Sequence, residues 1–137
     1  MAAETGWSLN PQLAKDTTPV GDLALCRVVA MNAAGFPWLI LVPRRDGAVE
    51  ISDLGDEAHR LMDEIVAVGA GLKSVVRCDK LNVGAIGNVV PQLHVHVIAR
   101  RFDDPLWPKP IWGVPLAPAD AAEFAGFVAA VRSRLGL

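Results

Sequence analysis

The sequence has no basic run, and 13 Lys and Arg against 15 Asp and Glu leave a formal net charge of −2. General nucleic-acid binding is excluded on that ground, because it requires clustered cations to displace phosphate counterions. No apolar stretch is long enough to span a bilayer. The N-terminal stretch MAAETGWSLNPQLAKDTTPV has no basic segment leading into an apolar one, so no secretory signal is expected. There are two cysteines, Cys26 and Cys78, and their separation matches no zinc or redox spacing. They read as reduced, buried thiols, and the protein as cytoplasmic, with no membrane partner. Internal repeats and low-complexity linkers are also missing.

A hydrophobic fraction of 52% in 137 residues is that of one packed domain, residues 1–137. A chain of this length buries roughly two thirds of its unfolded surface and needs no covalent staple. Residues 1–20, with Pro11 and Pro19, read as an irregular arm or a short helix. Leu23 to Met31 and Trp38 to Val42 are apolar strand candidates, separated by a turn at Asn32-Ala-Ala-Gly35. Ser52 or Asp53 can cap a helix, and Ala58, Leu61, Ile65, Val68 and Leu72 then mark one apolar stripe at steps of three and four. Val75 to Val83 is strand-like, and Gly84-Ala-Ile-Gly87-Asn88 is a loop. Asp103 to Pro118 holds five prolines in sixteen residues, so it reads as a loop. A last helix runs from near Pro118 to near Gly136, with Phe124, Phe127, Val128, Val131 and Leu135 as its stripe. The order β-β-(β)-α-β-β-α predicts an α+β fold with a meandering antiparallel sheet, one long central helix and a C-terminal helix.

Of the three histidines, two stand in PQLHVHVIAR, at His94 and His96. On a strand over residues 92–99, period two puts Leu93, Val95 and Val97 on one face and Gln92, His94 and His96 on the other. The apolar face belongs against the core, so the polar row faces solvent, a cleft or a partner. Imidazole near neutral pH serves as nucleophile, general acid or metal ligand. The preceding glycine loop can offer backbone N–H groups to an anion. A zinc site would need a third protein ligand, and the remaining histidine, His59, lies on the predicted helix. Catalysis, metal binding and a solvated face all stay open on spacing alone.

The flanks narrow the choice. The stretch Gly87-Asn88-Val89-Val90-Pro91-Gln92-Leu93-His94-Val95-His96-Val97-Ile98 resembles the histidine triad (HIT) superfamily signature, His-φ-His-φ-His-φ-φ with φ apolar. PWLILVPRR, ISDL and Leu81-Asn82 resemble further family segments in the same order, so the likeness covers about residues 23–102, with the loop and helix of 103–137 beyond it. The resemblance implies a HIT-like fold and a homodimer whose sheets join. It implies nucleotide hydrolases or transferases acting on the α-phosphate of dinucleoside polyphosphates or nucleoside phosphoramidates, with no cofactor or metal required. It implies His94 as nucleophile, His96 as the residue supporting phosphate and leaving group, and Asn32 as the ribose contact. Asn82 and Asn88, with the loop around Gly87, match positions near the phosphates.

Three positions depart from the pattern. Gln92 stands at the first triad place, Val89 where a hydroxyl residue is usual, and Asp46 where a histidine often follows Pro43-Arg44-Arg45. Glutamine donates and accepts hydrogen bonds but carries no proton at neutral pH. These departures point to a divergent branch and keep two alternatives in view: a non-catalytic nucleotide-binding module, and a metal-binding or structural dimer. Trp107 and Trp112 are expected to pack, or else to wall a base. Arg100 and Arg101 are expected to be solvated, and His59 to lie on the surface.

Overall fold

The computed structural model describes residues 6–137. The N-terminal arm resolves into two elements, α1 (Pro11–Asp16) and β1 (Thr17–Asp22). The Asn10 side chain caps α1 by accepting from the Gln12 N–H at 2.8 Å. The strand β1 was not expected, because Pro19 and Gly21 argue against sheet. Both are tolerated because β1 is an edge strand whose register shifts between Pro19 and Gly21. The first four residues of the arm, and Thr5, lie outside the described region.

Strands β2 (Cys26–Met31) and β3 (Trp38–Pro43) pair antiparallel along their whole length, from Cys26 opposite Pro43 to Met31 opposite Trp38. After β3 the chain enters a 3-10 turn, Ile51–Glu57, and then α2, Ala58–Val75. The expected cap is displaced by a few residues. Glu50 starts the turn, and Glu50 and Asp53 form a reciprocal capping box. The apolar stripe falls where periodicity put it: Leu61, Val68 and Leu72 are buried, with Ala58 and Ile65 packed beside them. Each fully buried side chain of this size is worth about 1.5–3 kcal/mol.

The expected strand from Val75 starts later, since α2 runs through Val75 and β4 spans Lys80–Gly84. Strand β5 is Val95–Arg100, and α3 is Ala121–Leu135. The Asp120 side chain caps α3 through the Ala122 and Glu123 N–H groups, and Gly136 closes it.

The five strands order β1-β2-β3-β5-β4, antiparallel throughout. This is the α+β arrangement that the sequence implied, with β5 inserted between β3 and β4. One sheet face carries Val28, Ala30, Leu39, Leu41, Val95 and Val97 against α2 and α3. The other carries Val29, Trp38, Ile40, Val42 and Ile98, covered by Leu13, Ile111 and Trp112. A buried carboxylate, Glu64, ties α2 to the sheet by accepting the Leu25 and Cys26 N–H groups at 2.8 Å each. Cys26 is core, as expected, but Cys78 is only half-buried, because it sits in the link between α2 and β4. No described helix is long and apolar enough to cross a membrane.

Candidate functional site

Alternation through residues 93–98 divides the sheet as the sequence predicts. Leu93, Val95 and Val97 join the core under α2, and Ile98 joins the opposite cluster. The strand itself is shorter than expected. It begins at Val95, so Gln92 and His94 stand on the loop that leads into it. Gly87 bends this loop at φ 67°, a left-handed conformation that costs glycine little.

The polar row is not open to solvent. His94 is 6% exposed and His96 7%. Trp112 reaches over from the proline-rich loop to within 5.7 Å of the His96 ring, edge to face. It fits because its partner strand presents Gly84 opposite His96: a Cβ there would meet the Trp112 ring at 3.2 Å. The N-terminal segment lies against the same sheet face, with Leu13 buried and Trp7 and Leu9 packed beside it. An outward-facing row became a roofed one because the apolar residues on either side of it, in the arm and the 103–118 loop, needed a surface to bury against.

The two histidines are held through different groups. His94 Nδ1 lies 2.7 Å from the Gln92 carbonyl oxygen. A carbonyl only accepts, so Nδ1 carries the proton and Nε2 keeps the lone pair. His96 Nδ1 instead accepts from the Trp38 indole N–H at 3.0 Å. The rings stand 5.0 Å apart. Burial, and secondarily the charge of His94, pushes the His96 pKa down to about 4. Trp38 was not among the residues that the sequence singled out. The signal lies in strand pairing, which puts Trp38 opposite Ile98 and Ile40 opposite His96.

The Gln92 side chain is engaged by the N-terminal segment. Its Oε1 accepts the Asn10 N–H at 2.8 Å, and its Nε2 donates to the Ser8 carbonyl at 2.9 Å. The first triad position thus fastens the N-terminal segment across the sheet.

A cavity of about 320 Å³ opens beside His94, walled by Gln92, Gly87, Ile86, Glu50 and Ser52 among others. It brings together His94, Gln92 and Gly87 of the expected set. Asn88 is exposed on the same loop. Asn32 and Asn82 are used elsewhere. The Asn32 Oδ1 accepts the Ala119 N–H at 2.8 Å, and Asn32 lines a different depression with Thr18 and Phe124. The Asn82 Oδ1 accepts from Arg100 Nη1 at 2.9 Å.

One expectation about neighbouring residues needs correction. Arg100 is buried, 1% exposed, in an ion pair with Asp104 at 2.7 Å, and it lies over the Phe36 and Trp107 rings. Its position in β5, inside the sheet, left the guanidinium no route to water. Arg101 is exposed as expected, and pairs with Asp103. Trp107 packs on Arg100 and Phe102, and Trp112 on His96. His59 is exposed on α2. Among the described residues, no group of three or more His, Cys, Asp or Glu side chains is placed to hold a metal.

The HIT domain family model matches residues 12–103. The crystal structure of a histidine triad protein from Bradyrhizobium japonicum is similar at TM-score 0.90 and 50% identity, covering 94% of this chain and 98% of that one. A histidine triad (HIT) protein from Sinorhizobium meliloti 1021 gives TM-score 0.90 and 42% identity over 96% of this chain and 98% of that one. A histidine triad protein from Marinobacter aquaeolei VT8 gives 0.89 and 42% over 95% and 96%. Among curated proteins, no sequence matches this one.

Proposed function

The chain belongs to the histidine triad (HIT) family, and on that premise we propose that it binds nucleotides and acts on the α-phosphate of a nucleotide conjugate through a covalent nucleotidyl-histidine intermediate. The observation that carries this reading is the hold on His94: with Nδ1–H donated to the Gln92 carbonyl, the lone pair on Nε2 is the available one. A neutral imidazole with one nitrogen oriented in this way is a ready nucleophile.

Attack by Nε2 forms a phosphorus–nitrogen bond as the bond to the leaving group breaks, and the electron pair departs with that group. Water then attacks phosphorus, the pair returns to Nε2, and a nucleoside monophosphate and a proton are released. Backbone N–H groups of the loop around Gly87, on the same cavity wall as His94, are suited to steady the phosphate oxygens as charge develops. His96, one ring away, is suited to contact the leaving group. No step draws on a metal or cofactor.

Two further expectations attach to this reading. One is a reduced, cytoplasmic setting for Cys26 and Cys78. The other is a homodimer formed along the outer edge of β4. That edge carries the exposed Val83, whereas β1 is broken by Pro19 and its register shift. Light scattering after size exclusion checks the dimer.

Mass spectrometry after brief incubation with a panel of dinucleoside polyphosphates and adenosine phosphoramidates tests the chemistry. An added nucleotidyl mass on a His94-containing peptide is expected. No adduct and no turnover across the panel would overturn the enzyme reading. One observation favours a second reading, a nucleotide-binding module without turnover: the first triad position is engaged with the N-terminal segment. Calorimetry showing nucleoside monophosphate binding without turnover would select it.

A further inference from the structure

His96 differs from His94 in what touches its Nδ1. An indole nitrogen only donates. Its 3.0 Å contact therefore requires a lone pair on His96 Nδ1 and places the ring proton on Nε2. The tautomer is opposite to that of His94. The surroundings favour the uncharged ring as well. Ile40 stands opposite His96 on β3 and Gly84 on β4, and Trp112 covers it from the loop. None of these carries a charge, and the ionisable group facing His96 is His94.

We propose that Trp38 is a positioning residue that holds His96 as a neutral Nε2–H donor, so that the site takes substrates whose leaving group departs as a stable anion, the phosphoanhydrides, in preference to phosphoramidates. This rests on the nucleotidyl-transfer reading above. A neutral imidazole gives up its Nε2 proton only if Nδ1 gains one, and the indole N–H occupies Nδ1. His96 therefore hydrogen-bonds a leaving atom without protonating it.

For an anhydride this suffices. The bond from the α-phosphorus to the bridging oxygen breaks, and the pair leaves on a phosphate oxygen that needs no proton at neutral pH. For a phosphoramidate, the pair would be left on an amine nitrogen, which requires a proton as the bond breaks. Of the other ionisable groups near the cavity, Glu50 is occupied in its capping box with Asp53, and His94 is the nucleophile.

Nitrogen-15 NMR of the histidine rings tests the hold directly. In the unaltered protein His96 is expected as the Nε2–H tautomer, with no titration from pH 8 to pH 5. In Trp38→Phe, which keeps the ring buried but removes the indole donor, the single Nε2–H tautomer is expected to give way to a mixture with Nδ1–H. Turnover is compared for diadenosine tetraphosphate and adenosine 5′-phosphoramidate. The anhydride is expected to show at least about tenfold higher kcat/KM, and Trp38→Phe to narrow that ratio, a change of about 1.4 kcal/mol per tenfold.

The proposal is overturned by an Nδ1–H tautomer or ordinary titration of His96 in the unaltered protein, a measurement that needs no variant to fold. It is equally overturned by phosphoramidate cleavage as fast as the anhydride. If neither substrate is cleaved, the function proposed above falls and the substrate preference with it, while the NMR spectrum still decides whether Trp38 holds His96.

Discussion

The Gln92 side-chain oxygen accepts the backbone N–H of Asn10 at 2.8 Å, across a sequence gap of 82 residues. The same amide donates to the Ser8 carbonyl, so a single side chain satisfies two backbone groups of a segment that has left regular structure. Gln92→Ala leaves both without that partner. Each lost bond costs about 0.5–1.5 kcal/mol, so a loss of about 1–3 kcal/mol is expected in urea unfolding. Hydrogen exchange should accelerate across residues 8–16. The hold on His94 runs through the Gln92 backbone carbonyl, which alanine retains. Turnover should therefore fall far less than stability suggests, and a collapse of activity matching loss of His94 would show that the amide itself acts on substrate.

Residue spacing made much of this legible. Steps of three and four located the stripes of α2 and α3, and step two divided Leu93-Val95-Val97 from His94-His96. The short sequence around the histidines pointed to the family. What periodicity could not carry was anything set by contacts distant in sequence. The strand Thr17–Asp22 was hidden because Pro19 and Gly21 argue locally against sheet, and only the pairing with β2 makes it one. Arg100 reads as a solvated charge until Asp104 folds back against it. The partners of Gln92 lie in the N-terminal segment and that of His96 in β3, so their roles depend on tertiary register.

His94 should be indispensable on the proposed reading, because it alone combines a cavity position with a free ring nitrogen. His94→Asn can keep a hydrogen bond near the Gln92 carbonyl but offers no nucleophile. Removing a nucleophile typically costs several orders of magnitude in kcat, so at least about a thousandfold loss is expected. Nucleotide affinity measured by calorimetry should change much less. Residual turnover within about tenfold would mean that another group, or water directly, attacks the phosphate.

The Arg100–Asp104 pair should matter to stability more than any exposed ion pair. Both side chains are nearly inaccessible, 1% and 4% exposed, and the arginine also bridges to Asn82 on β4. Hydrogen bonding to Arg100 holds the Asp104 carboxyl below its ordinary range. Arg100→Ala strands that carboxylate, at a cost of about 3–5 kcal/mol. The loop beginning at Asp103 should then exchange faster, since its anchor at Asp104 is lost. Arg101→Ala, which breaks an exposed pair with Asp103, should cost less than about 1 kcal/mol. Equal effects of the two substitutions would remove the distinction drawn from burial.

Acid should weaken the fold in two separable stages. His96 is held neutral by burial, with its pKa depressed from 6.5 to about 4. The unfolded chain protonates this ring as pH falls below 6.5, while the folded one resists until about 4. Stability is therefore lost across that window and no further below it. A shift of this size corresponds to about 3 kcal/mol in total. The depressed carboxylates act later. Asp22 and Asp104 take protons in the unfolded state around 3.8, so their contributions disappear as pH drops through and below that value. Urea midpoints measured at half-unit steps from pH 7.5 to pH 3 should show a first decline starting near 6.5. In His96→Asn, which has no proton to gain, that first decline should vanish while the second persists. An unchanged early slope in the variant would assign it to another histidine and contradict the buried, neutral state of His96.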